Sequence, residues 1–194
     1  MIPTRQEKEN DREVTVTLKG IEFMGDNVRD KLKYCGKGVR IHPLAKIWMP
    51  EVVELDDGCQ ICDLVFIWGG VRTKIGKQSQ MTWHTLIEGT GETIIGDRVL
   101  IGPSTVIVTG LYDHRAGLRM IDHLPDGQTK LIKGKVVIED DASISAGCVV
   151  LPNVTIGEGA VVGANSLVKE DLAPWGIYAG SPAKKVGERQ RPAF

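Results

Sequence analysis

The chain has 194 residues, an apolar share of 42% and a formal net charge of -1. That length suits one domain with at most a small appendage, and the near-neutral charge argues against a polyanion-binding surface, so no nucleic-acid partner is expected. Aromatics are only 5% while glycine numbers 23, which suggests a core of small and β-branched side chains in a repetitive β architecture.

From the N-terminus, residues 1–12 are polar and charged, unlike a secretory signal. No apolar run approaches the ~20 residues that a membrane-spanning helix needs. A cytoplasmic protein without membrane insertion is the expectation. Residues 15–18 read as a short strand and 27–33 as a short helix or turn. Residues 1–40 are expected to form an N-terminal cap that hides the open edge of the downstream β structure. The cysteines are Cys35, Cys59, Cys62 and Cys148. A lone C-x-x-C at Cys59 and Cys62, without a second pair, reads as reduced thiols rather than a zinc site.

A six-residue period begins at Ile41 and continues through Ile47, Val53, Cys59, Val65 and Val71. Ile75, Met81 and Ile87 come next in a shifted frame, then Ile95, Ile101 and Ile107 in another. In the first of these runs Glu51, Asp57 and Asp63 fall where a small inward residue is expected. The pattern is most regular at Ile138, Ile144, Val150, Ile156, Val162 and Val168, with mostly small residues four places beyond each. Recurrence at every sixth place differs from the two-residue alternation of a flat strand. A short strand and a corner, repeated three times, form a triangular coil whose axis is aliphatic. Stacked coils pair as parallel strands about 4.8 Å apart, so each coil covers the apolar interior of the one below. The fold expected over 41–173 is therefore all-β, a parallel β-helix or hexapeptide prism.

Two segments break the period. Residues 109–136 contain Asp113, His114, Asp122 and His123 among several glycines, and a loop this long inside a compact repeat is expected to have work to do. Residues 174–194 leave the repeat as a C-terminal cap, with a charged helix or tail at 188–191.

The most specific wording is Leu-Pro-Asn-Val-Thr-Ile-Gly at 151–157, Gly-Ala-Val-Val-Gly-Ala-Asn-Ser at 159–166 and Ala-Gly-Ser-Pro-Ala-Lys at 179–184. Through these residues the chain resembles the hexapeptide-repeat acyltransferase family, which includes maltose and galactoside O-acetyltransferases, xenobiotic acetyltransferases and enzymes of cell-surface polysaccharide synthesis. The resemblance covers roughly 39–185. It implies a left-handed prism, a homotrimer with the site between neighbouring prisms, acetyl-CoA as co-substrate, no metal, and a sugar or nucleotide-sugar acceptor. It places pantetheine beside the backbone of Ser145, Ala146, Gly163 and Ala164, an amide at Ser145 or Ala146 as oxyanion donor, and Lys169, Lys184 or Lys185 on the CoA phosphates, with Pro182 in the terminal turn. The chain departs from the family in two places. Ser143-Ile144-Ser145 stands where relatives carry Trp-Ile-Gly, and Tyr112-Asp113-His114-Arg115 stands where relatives read His-Asp-Tyr.

Acetyl transfer needs a base to take a proton from the attacking hydroxyl or amine, and histidine titrates near working pH. His114 lies where the loop leaves the prism and is the first candidate. His84, in the middle coils, and His123 are the others, with Asp113 or Asp122 to orient the imidazole; His42 reads as structural. Two rival readings share the fold. A γ-type carbonic anhydrase would hold zinc with His84, His114 and His123, and a non-catalytic prism would keep only the scaffold.

Overall fold

The computed structural model describes residues 20–122 and 124–193. The strand read at 15–18 and the loop residue His123 lie outside the described residues. The chain winds as a left-handed parallel β-helix of about seven coils. The first face carries Tyr34–Cys35, Val53–Leu55, Arg72–Ile75, Glu92–Ile95, Lys135–Ile138 and Val154–Ile156. The second carries Arg40–Ile41, Gln60–Ile61, Gln80–Met81, Leu100–Ile101, Ser143–Ile144, Val161–Val162 and Gly176–Ala179. The third carries Lys46–Trp48, Phe66–Trp68, Leu86–Glu88, Val106–Val108, Val149–Val150 and Leu167–Val168. The prism thus starts at Tyr34, ahead of residue 41, after two 3-10 turns at Ile21–Phe23 and Gly25–Lys31.

The coil length explains the shifting frames. Upstream, each residue pairs with the one twenty places on, as Tyr34 with Glu54 and Gln60 with Gln80. Downstream the step is eighteen, as Ser143 with Val161, and sixteen in the last coil, as Val161 with Ile177. A coil of twenty spends two extra residues at the third corner, between the third face and the first. The axis is therefore built by Ile47, Leu55, Ile61, Ile67, Ile75, Met81, Ile87, Ile95, Ile101 and Ile107, all essentially inaccessible. Val53, Cys59 and Val65 are buried as the companions two places earlier, and Val71 is 58% exposed. The unbroken six-residue frame from Val53 to Val71 is corrected accordingly. So is the inward placement of the acids. Asp57 and Asp63 stand outside the corners, where their carboxylates accept the Lys37 and Leu44 N–H groups of the preceding coil at 2.7 and 2.8 Å. Asp97 and Asp140 repeat the device on Lys77 and Asp97.

The faces differ outside as much as they agree inside. The first face carries a ladder of alternating charge, Lys33 to Glu54 at 2.9 Å, Glu54 to Arg72 at 3.1 Å and Glu92 to Lys135 at 3.1 Å, a cross-strand arrangement that suits a solvated sheet. On the third face the outward side chains are Lys46, Trp48, Phe66, Trp68, Leu86, Glu88, Val106, Val108, Val149, Leu151 and Leu167. Among the described residues, no helix is long and apolar enough to cross a membrane.

The loop leaves from the third corner. Gly110–Tyr112 and Leu131–Lys133 pair antiparallel as its stem, and the prism resumes at Lys135, which stands beneath Glu92. Gly91 lies under this root because a Cβ there would collide with the Gly134 and Thr109 carbonyl oxygens. The excursion is braced internally: Lys130 pairs with Asp113 at 2.8 Å, and Tyr112 donates to the Asp122 carboxylate. At the far end, Lys184–Glu188 runs antiparallel to Gly176–Ala179, so the expected helix or tail begins as a strand. Arg189 then donates to the Asp141 and Gly159 carbonyls at 2.6 and 3.0 Å, and Arg189 and Arg191 lie over Trp175.

Ile101→Ala is expected to cost about 2–5 kcal/mol, as deletion of a buried aliphatic group does, read by denaturant unfolding with an unchanged slope. The Asp113 carboxyl is held below the usual carboxylate range, chiefly by Lys130 and then by the Arg115 N–H. Its pKa is lower folded than unfolded, so the tie is present above the unfolded value and lost as pH falls through the folded one. Amide exchange in the 113–130 segment should therefore accelerate on acidification below about pH 4. In Asp113→Asn it should be fast at every pH while the prism strands keep their protection.

Candidate functional site

One edge of the prism collects most of the sequence-derived cofactor residues. Ser145 and Ala146 form the second corner of one coil and Gly163 and Ala164 the second corner of the next. Gly180 and Pro182 follow beneath them, where the Leu167 N–H donates to the Gly180 carbonyl at 3.0 Å and the Ala183 N–H to Leu167 at 2.8 Å. Lys184 pairs with Ala179 at the same edge. The corners are stacked tightly because residues at one position adopt the left-handed conformation coil after coil: Leu64, His84, Ser104, Gly147 and Asn165. A Cβ on Gly163 would lie 3.1 Å from the Ala179 Cβ, so small side chains here let the backbone form a continuous strip.

The strip leaves selected amides free. The Ser145 N–H donates to the Val162 carbonyl at 2.8 Å and that of Gly163 to Tyr178 at 2.7 Å. Both are committed to stacking. The N–H groups of Ala146 and Ala164 make no hydrogen bond among the described residues, and in the coil above the corresponding residue is Pro103, which has no N–H. Of the two amides expected as oxyanion donors, that of Ser145 is thus engaged in the sheet and that of Ala146 is unused among the described residues.

His84 is exposed in the same stack of corners, two coils above Ala146, with Trp83 half-exposed beside it. Composition and period give no reason to single out Trp83; a tryptophan in a prism corner is its signal. His114 is exposed at the turn that follows the excursion stem, with no hydrogen bond or ion pair among the described residues. Asp113 faces Lys130 and the Arg115 N–H rather than the His114 ring, so the expected orienting pair is not assembled. His42 meets Asp63 at 3.6 Å and the Gln60 amide at 3.0 Å, in keeping with a structural role. Lys169 sits at the third corner beside Glu170 at 3.4 Å, away from the strip that Lys184 joins, and Lys185 pairs with Glu188 at 2.6 Å.

The second and third corners are the two edges of the third face. One chain thus holds His84 and the strip of Ala146 and Gly163 on one edge and the His114 excursion on the other. Clefts of about 560 and 520 Å³ in the single chain lie elsewhere, against Glu139, Asp140 and Glu158 and against Met24, Asn27 and Pro43. No group of three or more His, Cys, Asp or Glu side chains that could hold a metal ion occurs among the described residues. The thiols are free, and burial pushes Cys59 up to about 12.

Comparison with known proteins bears on this arrangement. Residues 135–170 match the family model described as bacterial transferase hexapeptide (six repeats). The chain is 30% identical over 182 residues to a dTDP-4-amino-4,6-dideoxy-D-glucose acyltransferase of Escherichia coli, covering 92% of this chain and 88% of that protein. It also matches the structure of AntD, an N-acyltransferase from Bacillus cereus in complex with dTDP and 3-hydroxybutyryl-CoA. That match has a TM-score of 0.77 and 30% identity, covering 88% of this chain and 91% of that one. A chloramphenicol acetyltransferase of Klebsiella aerogenes is 45% identical over 56 residues, 29% of this chain and 27% of that protein. The prism, the interrupting excursion and the near-full-length matches together establish that the chain belongs to the hexapeptide-repeat acyltransferase family.

Proposed function

We propose that the protein transfers an acetyl group from acetyl-CoA to the amine of a nucleotide-linked amino sugar, in the cytoplasm and in the service of cell-surface polysaccharide synthesis. The observation that carries this reading is the near-full-length likeness to an acyltransferase named for a dTDP-linked amino sugar and to one bound to dTDP and an acyl-CoA. The sequence leaves oxygen and nitrogen acceptors open; these relatives favour nitrogen.

The chemistry suits the groups present. The amine nitrogen attacks the thioester carbonyl, a histidine takes the proton, and the carbonyl oxygen becomes an oxyanion near the unused Ala146 N–H. Collapse re-forms the carbonyl and breaks the carbon–sulfur bond, and the CoA thiolate leaves and takes up the proton. His114 is the proposed base, with His84 on the opposite edge of the site. Pantetheine would lie along Ser145, Ala146, Gly163 and Ala164, and Lys184 would meet a CoA phosphate as a point charge.

A homotrimer completes the site in this reading. Packing through the aliphatic part of the third face, Val106, Val149, Leu151 and Leu167, would bring the second corner of one copy to the excursion of the next. The excursion supports this with exposed Leu111, Met120, Ile121, Leu131 and Ile132, an apolar surface suited to covering a neighbour.

A thiol-release assay with acetyl-CoA and dTDP-linked amino sugars tests the reading. Release should require both substrates, and His114→Ala should lower kcat by about 10²–10⁴ with little change in the KM for acetyl-CoA. Full activity of that variant would remove His114 as the base and shift attention to His84. Val149→Glu should convert the assembly to monomers in sedimentation velocity and abolish turnover with it. An active monomer would refute the shared site.

A further inference from the structure

The N-terminal end of the third face differs from the aliphatic remainder. Strand alternation points Lys46, Trp48, Phe66 and Trp68 outward, Phe23 packs against Trp48 with ring centroids 4.8 Å apart and the planes tilted by 59°, and Trp48 is 39% exposed. The Lys46 ammonium lies 5.8 Å from the Trp48 ring and 5.9 Å from the Phe66 ring, and meets no carboxylate among the described residues. The Trp68 indole N–H and the Thr90 hydroxyl are both buried without a partner. We propose that this cluster is the platform for the nucleotide part of the acceptor: the base stacks on Trp48, and Lys46 faces the diphosphate. The proposal rests on the acyl-transfer reading above for the identity of the acceptor.

Three features favour a nucleotide here over an aliphatic contact. Indole faces accept any base by stacking, whereas the coils below offer valine and leucine with the single carboxylate of Glu88. A cation without a counter-ion amid aromatic rings suits an adjoining anion and would be costly to bury against an apolar partner. The register also fits. Trp48 stands one coil above Trp68 and three above Val108, and three parallel-strand steps cover about 14 Å. That is a reach suited to a diphosphate-linked sugar, and it ends where the excursion with His114 leaves the prism. Trp68 and Thr90 belong to the intervening coils.

The experiment uses the full chain and dTDP as probe. Tryptophan fluorescence titration should show saturable quenching by dTDP. Trp48→Ala and Lys46→Gln should each raise the dTDP dissociation constant about tenfold, given the worth of one stacked base or one charge-assisted contact. They should raise the KM for a dTDP-linked amino sugar in parallel, with kcat and the KM for acetyl-CoA unchanged. Trp48→Phe keeps an aromatic face at that position and should retain most of the dTDP affinity, which guards against a misfolded alanine variant. Unaltered dTDP affinity in Trp48→Ala and Lys46→Gln would overturn the proposal. So would dissociation of the assembly by these substitutions, since the rings would then be covered by a second copy. Failure of the wild-type chain to bind dTDP overturns the platform even where a nucleotide-free acceptor is acetylated. Tight dTDP binding that both variants weaken, without any thiol release, supports the platform and instead sinks the acyl-transfer reading.

Discussion

Every coil in this protein hydrogen-bonds to the coil on either side and to little else, and that single constraint governs the rest. A strand of two or three residues cannot be stable alone, so its backbone groups are satisfied only if the next coil repeats its path. The repeat must then hold in register at all three faces at once. The corners obey it through residues in the left-handed conformation at matching places, and through Asp57, Asp63, Asp97 and Asp140, which cap the amides of the coil before. The axis obeys it through one aliphatic side chain per face. Length changes are confined to the third corner, where two extra residues or a whole excursion can leave without disturbing the ladder.

The same regularity produces the site. Because stacking uses up the Ser145 and Gly163 amides, the neighbouring Ala146 and Ala164 amides are left without a partner among the described residues, one coil apart. Small side chains turn that row into a strip of accessible backbone. In the proposed reading the chemistry of this prism lies along that edge, which a second copy packed beside it would turn into a cleft. The outer surfaces are divided to match: a salt-bridged first face that suits water, and a third face that is aliphatic at one end and aromatic with a free lysine at the other.

The excursion shows where local wording misleads. Asp113 and His114 are adjacent in sequence, which invites a paired acid and base. The antiparallel stem instead brings Lys130 across to Asp113, and an ammonium at hydrogen-bonding distance outcompetes a neighbouring imidazole for the carboxylate. That partner comes from the other end of the excursion and is invisible to any reading of adjacent residues.

From sequence alone, the six-residue period over 138–173 determined the prism, because an axis that admits one aliphatic side chain per face writes itself directly into spacing. The family resemblance carried by the terminal Gly-Ser-Pro-Ala-Lys drew Ser145, Ala146, Gly163, Ala164 and Lys184 together, and these residues do share one prism edge. The upstream frame from Val53 to Val71 is not legible in the same way, since two-residue insertions at a corner shift the period without changing residue type. Tertiary structure alone decided which amides remain free, that Lys169 stands apart from Lys184, and that His84 and His114 occupy opposite edges of one face. Those facts depend on which coil lies above which, and a one-dimensional pattern carries period but not the pairing that the hydrogen bonds select.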